Sequence, residues 1–146
     1  MSFANRIYSP SYISLHTALS HYGIIPEATI QITSITTLKT RSFSNAFGQY
    51  TYKSVKPALF FGFVLKALPD GRTYRLATPE KALVDLLYLY PEYDTVQELK
   101  NLRLDDYYMQ TTFDRHLLSK YARKTGKKIL KKRTEILKKL YTDATT

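Results

Sequence analysis

Three histidines, twelve carboxylates and twenty-two Lys/Arg side chains are the chemistry-bearing groups of this 146-residue chain. Few of them fall at spacings that chemistry needs. His16 and His21 are five residues apart, about 140° round a helix, so they do not share a face. His116 stands alone, and all three histidines read as surface or helix-edge residues rather than ligands of a metal. With no cysteine, disulfides, thiol nucleophiles and cysteine zinc sites are excluded. The five glycines, at 23, 48, 62, 71 and 126, are too scattered to form a phosphate-cradling loop. No serine sits in a nucleophile elbow. Glu80 and Asp85 share one predicted helix, and Asp105 and Asp106 stand together before another. Paired acids can hold a metal, as nucleases require. A first-turn position for Glu80, where its charge favours the helix dipole, and helix-edge or loop positions for the others explain them more simply. No catalytic residue, metal or cofactor is therefore expected.

The strongest signal is charge. The net charge is +10, unevenly placed: residues 1–113 hold 11 Lys/Arg against 9 Asp/Glu, whereas residues 114–141 hold 11 against 2. The chain reads as a nearly neutral body carrying a basic helical tail from about residue 114. On a wheel of 100° per residue, Ile129, Leu130, Ile136, Leu137, Leu140 and Tyr141 share one arc. Lys127, Lys128, Lys131, Lys132, Lys138 and Lys139 occupy the other, supported by Arg123 and Lys124 from the preceding helix. Arg133 alone falls in the apolar arc, so a carboxylate of the body is its expected partner. Such a face is either solvated or meets a polyanion or acidic partner, and each phosphate neutralised would add to a salt dependence. No helix-turn-helix pair with an exposed recognition face is evident.

The elements that must position these groups follow from periodicity. Ser9-Pro10 reads as the capped start of a helix along which Tyr12, Leu15, Leu19 and Tyr22 recur, with Gly23 closing it. Thr29 to about Lys66 is strand-forming, with a bulge near Ser34 where the apolar phase slips. Residues 41–48 read as a loop, Tyr50 and Tyr52 as a second strand, and Ala58 to Leu65 as a strand covered on both faces. Pro69-Asp70-Gly71 is a turn between strands at 62–67 and 72–77. Thr78-Pro79 opens a helix that ends at Pro91, followed by a short helix at 94–101 and helices at 113–125 and 127–141. The expected fold is a single α+β domain. A small, mostly antiparallel sheet from about residues 29–77 is packed by an N-terminal helix and several C-terminal helices. No apolar stretch approaches the roughly 18 residues of a membrane span, and the N-terminus is not a signal peptide, so a cytoplasmic protein with no membrane contact is expected.

Two stretches resemble one family. Residues 4–27, from Ala-Asn-Arg-Ile-Tyr-Ser-Pro-Ser-Tyr-Ile to Gly-Ile-Ile-Pro-Glu, are similar to the opening of the second domain of AbiEi-type antitoxins. Residues 72–90, Arg-Thr-Tyr-Arg-Leu-Ala-Thr-Pro-Glu-Lys-Ala-Leu-Val-Asp-Leu-Leu-Tyr-Leu-Tyr, resemble that family's second hallmark. Thr33 to Arg41 and Phe60 to Phe63 fit between them in order, so the resemblance covers roughly residues 4–105. It implies the antitoxin domain of a type IV toxin–antitoxin (abortive infection) system, without the winged helix-turn-helix domain that precedes it in that family. The implied partner is an AbiEii-like nucleotidyltransferase toxin, with DNA as a further partner through operon autoregulation and no small-molecule substrate. Ser9, Pro10, Tyr12, Thr78, Pro79, Glu80, Lys81 and Asp85 belong to the matching motifs and are expected to be structural. The rival reading is a basic module that binds nucleic-acid backbone non-specifically. An enzyme is not expected.

Overall fold

The computed structural model describes residues 3–28 and 30–142. Its elements are α1 (Ala4–Ile7), β1 (Ser11–Ile13), α2 (Leu15–His21), β2 (Gln31–Thr36), β3 (Arg41–Asn45), β4 (Gly48–Ser54), β5 (Phe63–Ala67), β6 (Thr73–Ala77), α3 (Pro79–Leu89), α4 (Val96–Lys100), α5 (Asp106–Thr111), α6 (Arg115–Thr125) and α7 (Lys128–Thr142). The fold is α+β, with a six-stranded mixed sheet in the order β3-β4-β2-β1-β6-β5. Three junctions are antiparallel (β3–β4, β1–β2, β5–β6) and two are parallel (β2–β4, β1–β6). Among the described residues no helix is long and apolar enough to cross a membrane.

The centre of the sheet departs from the sequence reading. Ser9-Pro10 does not open a helix; its peptide bond is cis, and residues 11–13 form the strand β1 instead. Ser11, Tyr12 and Ile13 pair with Thr36, Ile35 and Ser34, and all three are buried. The helix starts after Ser14, and Gly23 closes it in a left-handed conformation, with Ile24 N–H donating to Leu19. β2 continues unbroken from Gln31 to Thr36 against β4, so there is no bulge at Ser34. Thr33, Ser34 and Thr36 are buried as polar residues between flanking strands, which is why the apolar alternation lapses. Thr29, where the strand region was expected to begin, lies outside the described residues.

The sheet's two edges depart from expectation as well. Residues 41–45 form the edge strand β3 rather than a loop, pairing with β4 through a tip at Ala46-Phe47. The run from Ala58 is not a doubly covered strand: Pro57–Leu59 is one 3-10 turn, and β5 is the other edge, with Leu65 66% exposed. The hairpin β5–β6 itself falls where Pro69-Asp70-Gly71 placed it.

α3 is the hub. Eight consecutive residues, Glu80 to Leu87, are buried, because the helix is enclosed by α2, α6, α7 and the sheet. Each large aliphatic side chain it buries contributes about 1.5–3 kcal/mol. Thr78 caps it by accepting the Lys81 N–H at 3.2 Å, with Pro79 in the first turn. Near its N-terminal end β1 and β6 share only one register pair, Ile13 with Leu76. The Asn5 side chain supplies the missing rungs, donating to Ser11 O at 3.1 Å and accepting from Arg75 N–H at 2.6 Å.

Candidate functional site

Two sets of charged residues stand out, and the fold treats them in opposite ways. The first is built on α3, where Lys81 and Asp85 are one turn apart and face β1. Lys81 Nζ donates to Asp85 Oδ1 at 2.6 Å, Leu59 O at 2.7 Å and the Tyr12 hydroxyl at 2.8 Å, which uses all three of its donors. Asp85 Oδ2 accepts from the Tyr12 hydroxyl and from Ser14 Oγ, both at 2.8 Å. Ser14 stands at the N-cap of α2 but spends its hydroxyl on Asp85 instead of its own helix. The ammonium also lies 4.4 Å from the centre of the Phe61 ring. Exposure is 0% for the Lys81 side chain and 1% for that of Asp85.

The approach of the chain at Gly62 seals this pair. A Cβ at Gly62 would sit 2.6 Å from Lys81 Cγ, and the residue adopts φ +81°, so only glycine fits on both counts. Gly62 O in turn accepts the Thr78 N–H at 2.9 Å. Burial pushes the Lys81 ammonium below the usual lysine range and the Asp85 carboxyl above the usual carboxylate range, and each is opposed by the other's charge. Burial, then the charge of Asp85, drives the Tyr12 phenol strongly upward, which fixes it as a donor. With every donor satisfied and no opening to solvent, the network ties β1, α2, α3 and the 59–62 segment together and presents no reacting atom. Ser14, Phe61 and Gly62 were not singled out from sequence; a glycine inside the apolar 58–65 run was the available signal.

Glu80 is also buried, but away from this network. It accepts the N–H of Asp114, the N-cap of α6, at 3.0 Å, so it anchors the next helix as well as standing in the first turn of its own. Burial raises its carboxyl, against the lowering effect of that N–H. Ser9 is exposed and Pro10 partly so. Asp105 caps α5 by accepting the Tyr108 N–H at 2.8 Å, and Asp106 lies in that helix's first turn. His16 is half-buried edge-on to Tyr90 and held below the usual histidine range by burial; His21 and His116 are exposed. Among the described residues no three His, Cys, Asp or Glu groups gather to hold a metal ion.

The second set is the basic face of α6 and α7. Arg123, Lys124, Lys128, Lys131, Lys132 and Lys139 are exposed, and Lys127 and Lys138 are partly buried. They are not equivalent. Lys124 lies over the Phe61 ring at 4.2 Å, the same ring that Lys81 approaches at 4.4 Å. Lys132 pairs with Asp94 at 2.9 Å, and Lys138 reaches Glu135 at 3.0 Å and Ser119 Oγ at 2.8 Å. Arg133 is the buried exception: its guanidinium donates to Asp94 Oδ1 at 2.9 Å and Leu87 O at 2.6 Å. The bonds from Lys132 and Arg133 hold Asp94 below the usual carboxylate range. Ile129, placed on the apolar arc by the wheel, is 39% exposed because it sits in the first turn, beyond the edge of the core. No protein-family model matches the chain, and no curated protein matches it.

Proposed function

We propose that this chain is a non-catalytic interaction domain, the antitoxin domain of a type IV toxin–antitoxin pair. It works in the cytoplasm by engaging an AbiEii-like nucleotidyltransferase toxin without covalent chemistry. The observation that carries this reading is the junction of its two motif stretches. Tyr12 and Ser14 from residues 4–27 meet Lys81 and Asp85 from residues 72–90 in one buried, fully hydrogen-bonded network. Residues spent on a closed core network leave function to the surface. The surface of this chain offers a basic helical face, suited to an acidic partner surface or to operator DNA in autoregulation.

The test is co-expression with a candidate nucleotidyltransferase toxin, scored as growth rescue. The parent chain is expected to restore growth, and Lys131→Glu/Lys132→Glu to lose much of that rescue while staying folded. Absence of rescue by soluble, folded parent chain against a toxin that is toxic alone would overturn the reading.

A further inference from the structure

The cations of α6 and α7 do more than cover a surface. Three adjoining depressions run along the crease between the two helices, of about 350, 150 and 500 Å³, and Arg123 lines all three. Small residues line the crease, Ala122 two of the depressions and Ser119 two. At the α6–α7 turn, Gly126 adopts φ +72° with open space where a side chain would stand. Lys120, Arg123, Lys127, Lys128 and Lys131 line this path, and none forms an ion pair with another described residue. Lys132 and Lys139, on the same helix, line none of it. From Lys128 to Lys138 the path is about 15 Å long at 1.5 Å per residue. The lining carboxylates are Glu135, held by Lys138, and Asp114, whose Oδ1 caps α6.

We infer that this crease binds a single strand of nucleic acid through its phosphodiester backbone, with Arg123 as the central contact. Helices packed with their axes about 8–10 Å apart interdigitate their side chains, so a ligand lies in the furrow on their surface, a width suited to one strand. A duplex is far wider and would touch only the rims. The crease also presents no projecting helix or ribbon for a major groove. Lysines and arginines unpaired with carboxylates along a continuous path match a chain of phosphates. An acidic peptide would want apolar anchors, and the lining offers only Ala122 and Leu117. No Phe, Tyr or Trp lines the path and His116 is its one ring, so backbone charge rather than a row of stacking platforms carries the binding, which is tolerant of sequence. The inference is independent of the antitoxin reading, because growth rescue and strand binding fail separately.

Fluorescence anisotropy with the purified chain and a short labelled oligonucleotide of mixed sequence tests it. Binding is expected to be tighter for the single strand than for a duplex of equal length. Affinity should fall with salt at a log–log slope of about −2 to −3, as three or four neutralised phosphates would give. Arg123→Glu/Lys131→Glu should weaken binding about tenfold or more, while the charge-matched Lys39→Glu/Lys56→Glu, at exposed lysines elsewhere, changes it little. Preference for the duplex, equal losses in both double variants, competition by polyglutamate as effective as by unlabelled strand, or no binding at low salt would each overturn it. The strand, duplex and polyglutamate comparisons use the parent protein, so they stand even if a variant misfolds.

Discussion

Lys81 and Lys131 are the same side chain in opposite roles. Lys81, fully buried, gives its three donors to Asp85, Leu59 and Tyr12, whereas Lys131 stands exposed along a crease with no carboxylate partner. A buried ammonium is tolerated only where its hydrogen-bond geometry is complete, and that completeness leaves it nothing to offer a ligand. An exposed one adds little to stability and keeps its charge available. Stability and available charge in this molecule therefore reside in separate places, and substitution can pull them apart.

The largest contrast is expected at the buried pair. Asp85→Ala would strand an ammonium and two hydroxyls in the core, and the loss should be about 3–5 kcal/mol in denaturant unfolding. Lys81→Met/Asp85→Asn, which removes the charge but keeps an acceptor for Tyr12 and Ser14, should lose clearly less than Asp85→Ala. Lys131→Ala should stay within about 0.5 kcal/mol of the parent. A core that tolerated Asp85→Ala as well as Lys131→Ala would erase the distinction between the two regions.

Gly62 sharpens the comparison from the other side of the same lysine. An alanine there meets Lys81 Cγ at 2.6 Å and must adopt φ +81°. Gly62→Ala should therefore destabilise by about 2 kcal/mol or more. Gly126→Ala, also at positive φ but facing open space, should show only the backbone part of that loss, about 1 kcal/mol. Equal losses in the two variants would mean that the seal over Lys81 contributes nothing.

The two hydroxyl–proline steps make a smaller contrast with a direct bearing on what sequence can reveal. Thr78→Ala removes a side-chain cap on the hub helix and should cost about 1 kcal/mol, whereas Ser9→Ala, at an exposed position that caps nothing, should change unfolding by less than about 0.5 kcal/mol. The local signal is the same at both sites. What separates them is the pairing of residues 11–13 with 34–36, a contact more than twenty residues away in sequence. Where the deciding contact was local, the reading held: the β5–β6 turn at Pro69-Asp70-Gly71 and the α3 cap are examples. Arg133 was legible as well, because one cation in an apolar arc demands a partner, and Asp94 supplies it. β3 read as a loop because an edge strand exposed on both sides needs no hydrophobic alternation. The i,i+4 spacing of Lys81 and Asp85 was visible in the motif, but a helix buried on all sides gives no amphipathic pattern to announce that they are enclosed. The crease was invisible for another reason: the wheel sorted α7 into two arcs, and only the packing against α6 divides its lysines into those that line a path and those that do not.

Glu80 carries the smallest effect and the one with a definite pH sign. Its carboxyl is raised in the folded protein by burial, so the folded state holds that proton more tightly than the unfolded chain does. Its contribution is therefore complete below the unfolded value of about 4.5 and is lost as pH rises through the higher folded value. Glutamine at this position keeps an acceptor for the Asp114 N–H and removes the titration. Compared with Glu80→Gln in unfolding experiments over the acid range, the parent protein should lose relative stability as pH rises, then run parallel once the carboxyl is ionised. A difference that instead grew in the parent's favour with pH would mean that the Asp114 N–H outweighs burial. The site would then act as a charged cap for α6 rather than as a buried acid. Asp94 runs the other way: Lys132 and Arg133 lower it, and its contribution is lost as pH falls. It is unchanged between the two proteins compared, so it cancels from the difference and leaves the sign of Glu80 exposed.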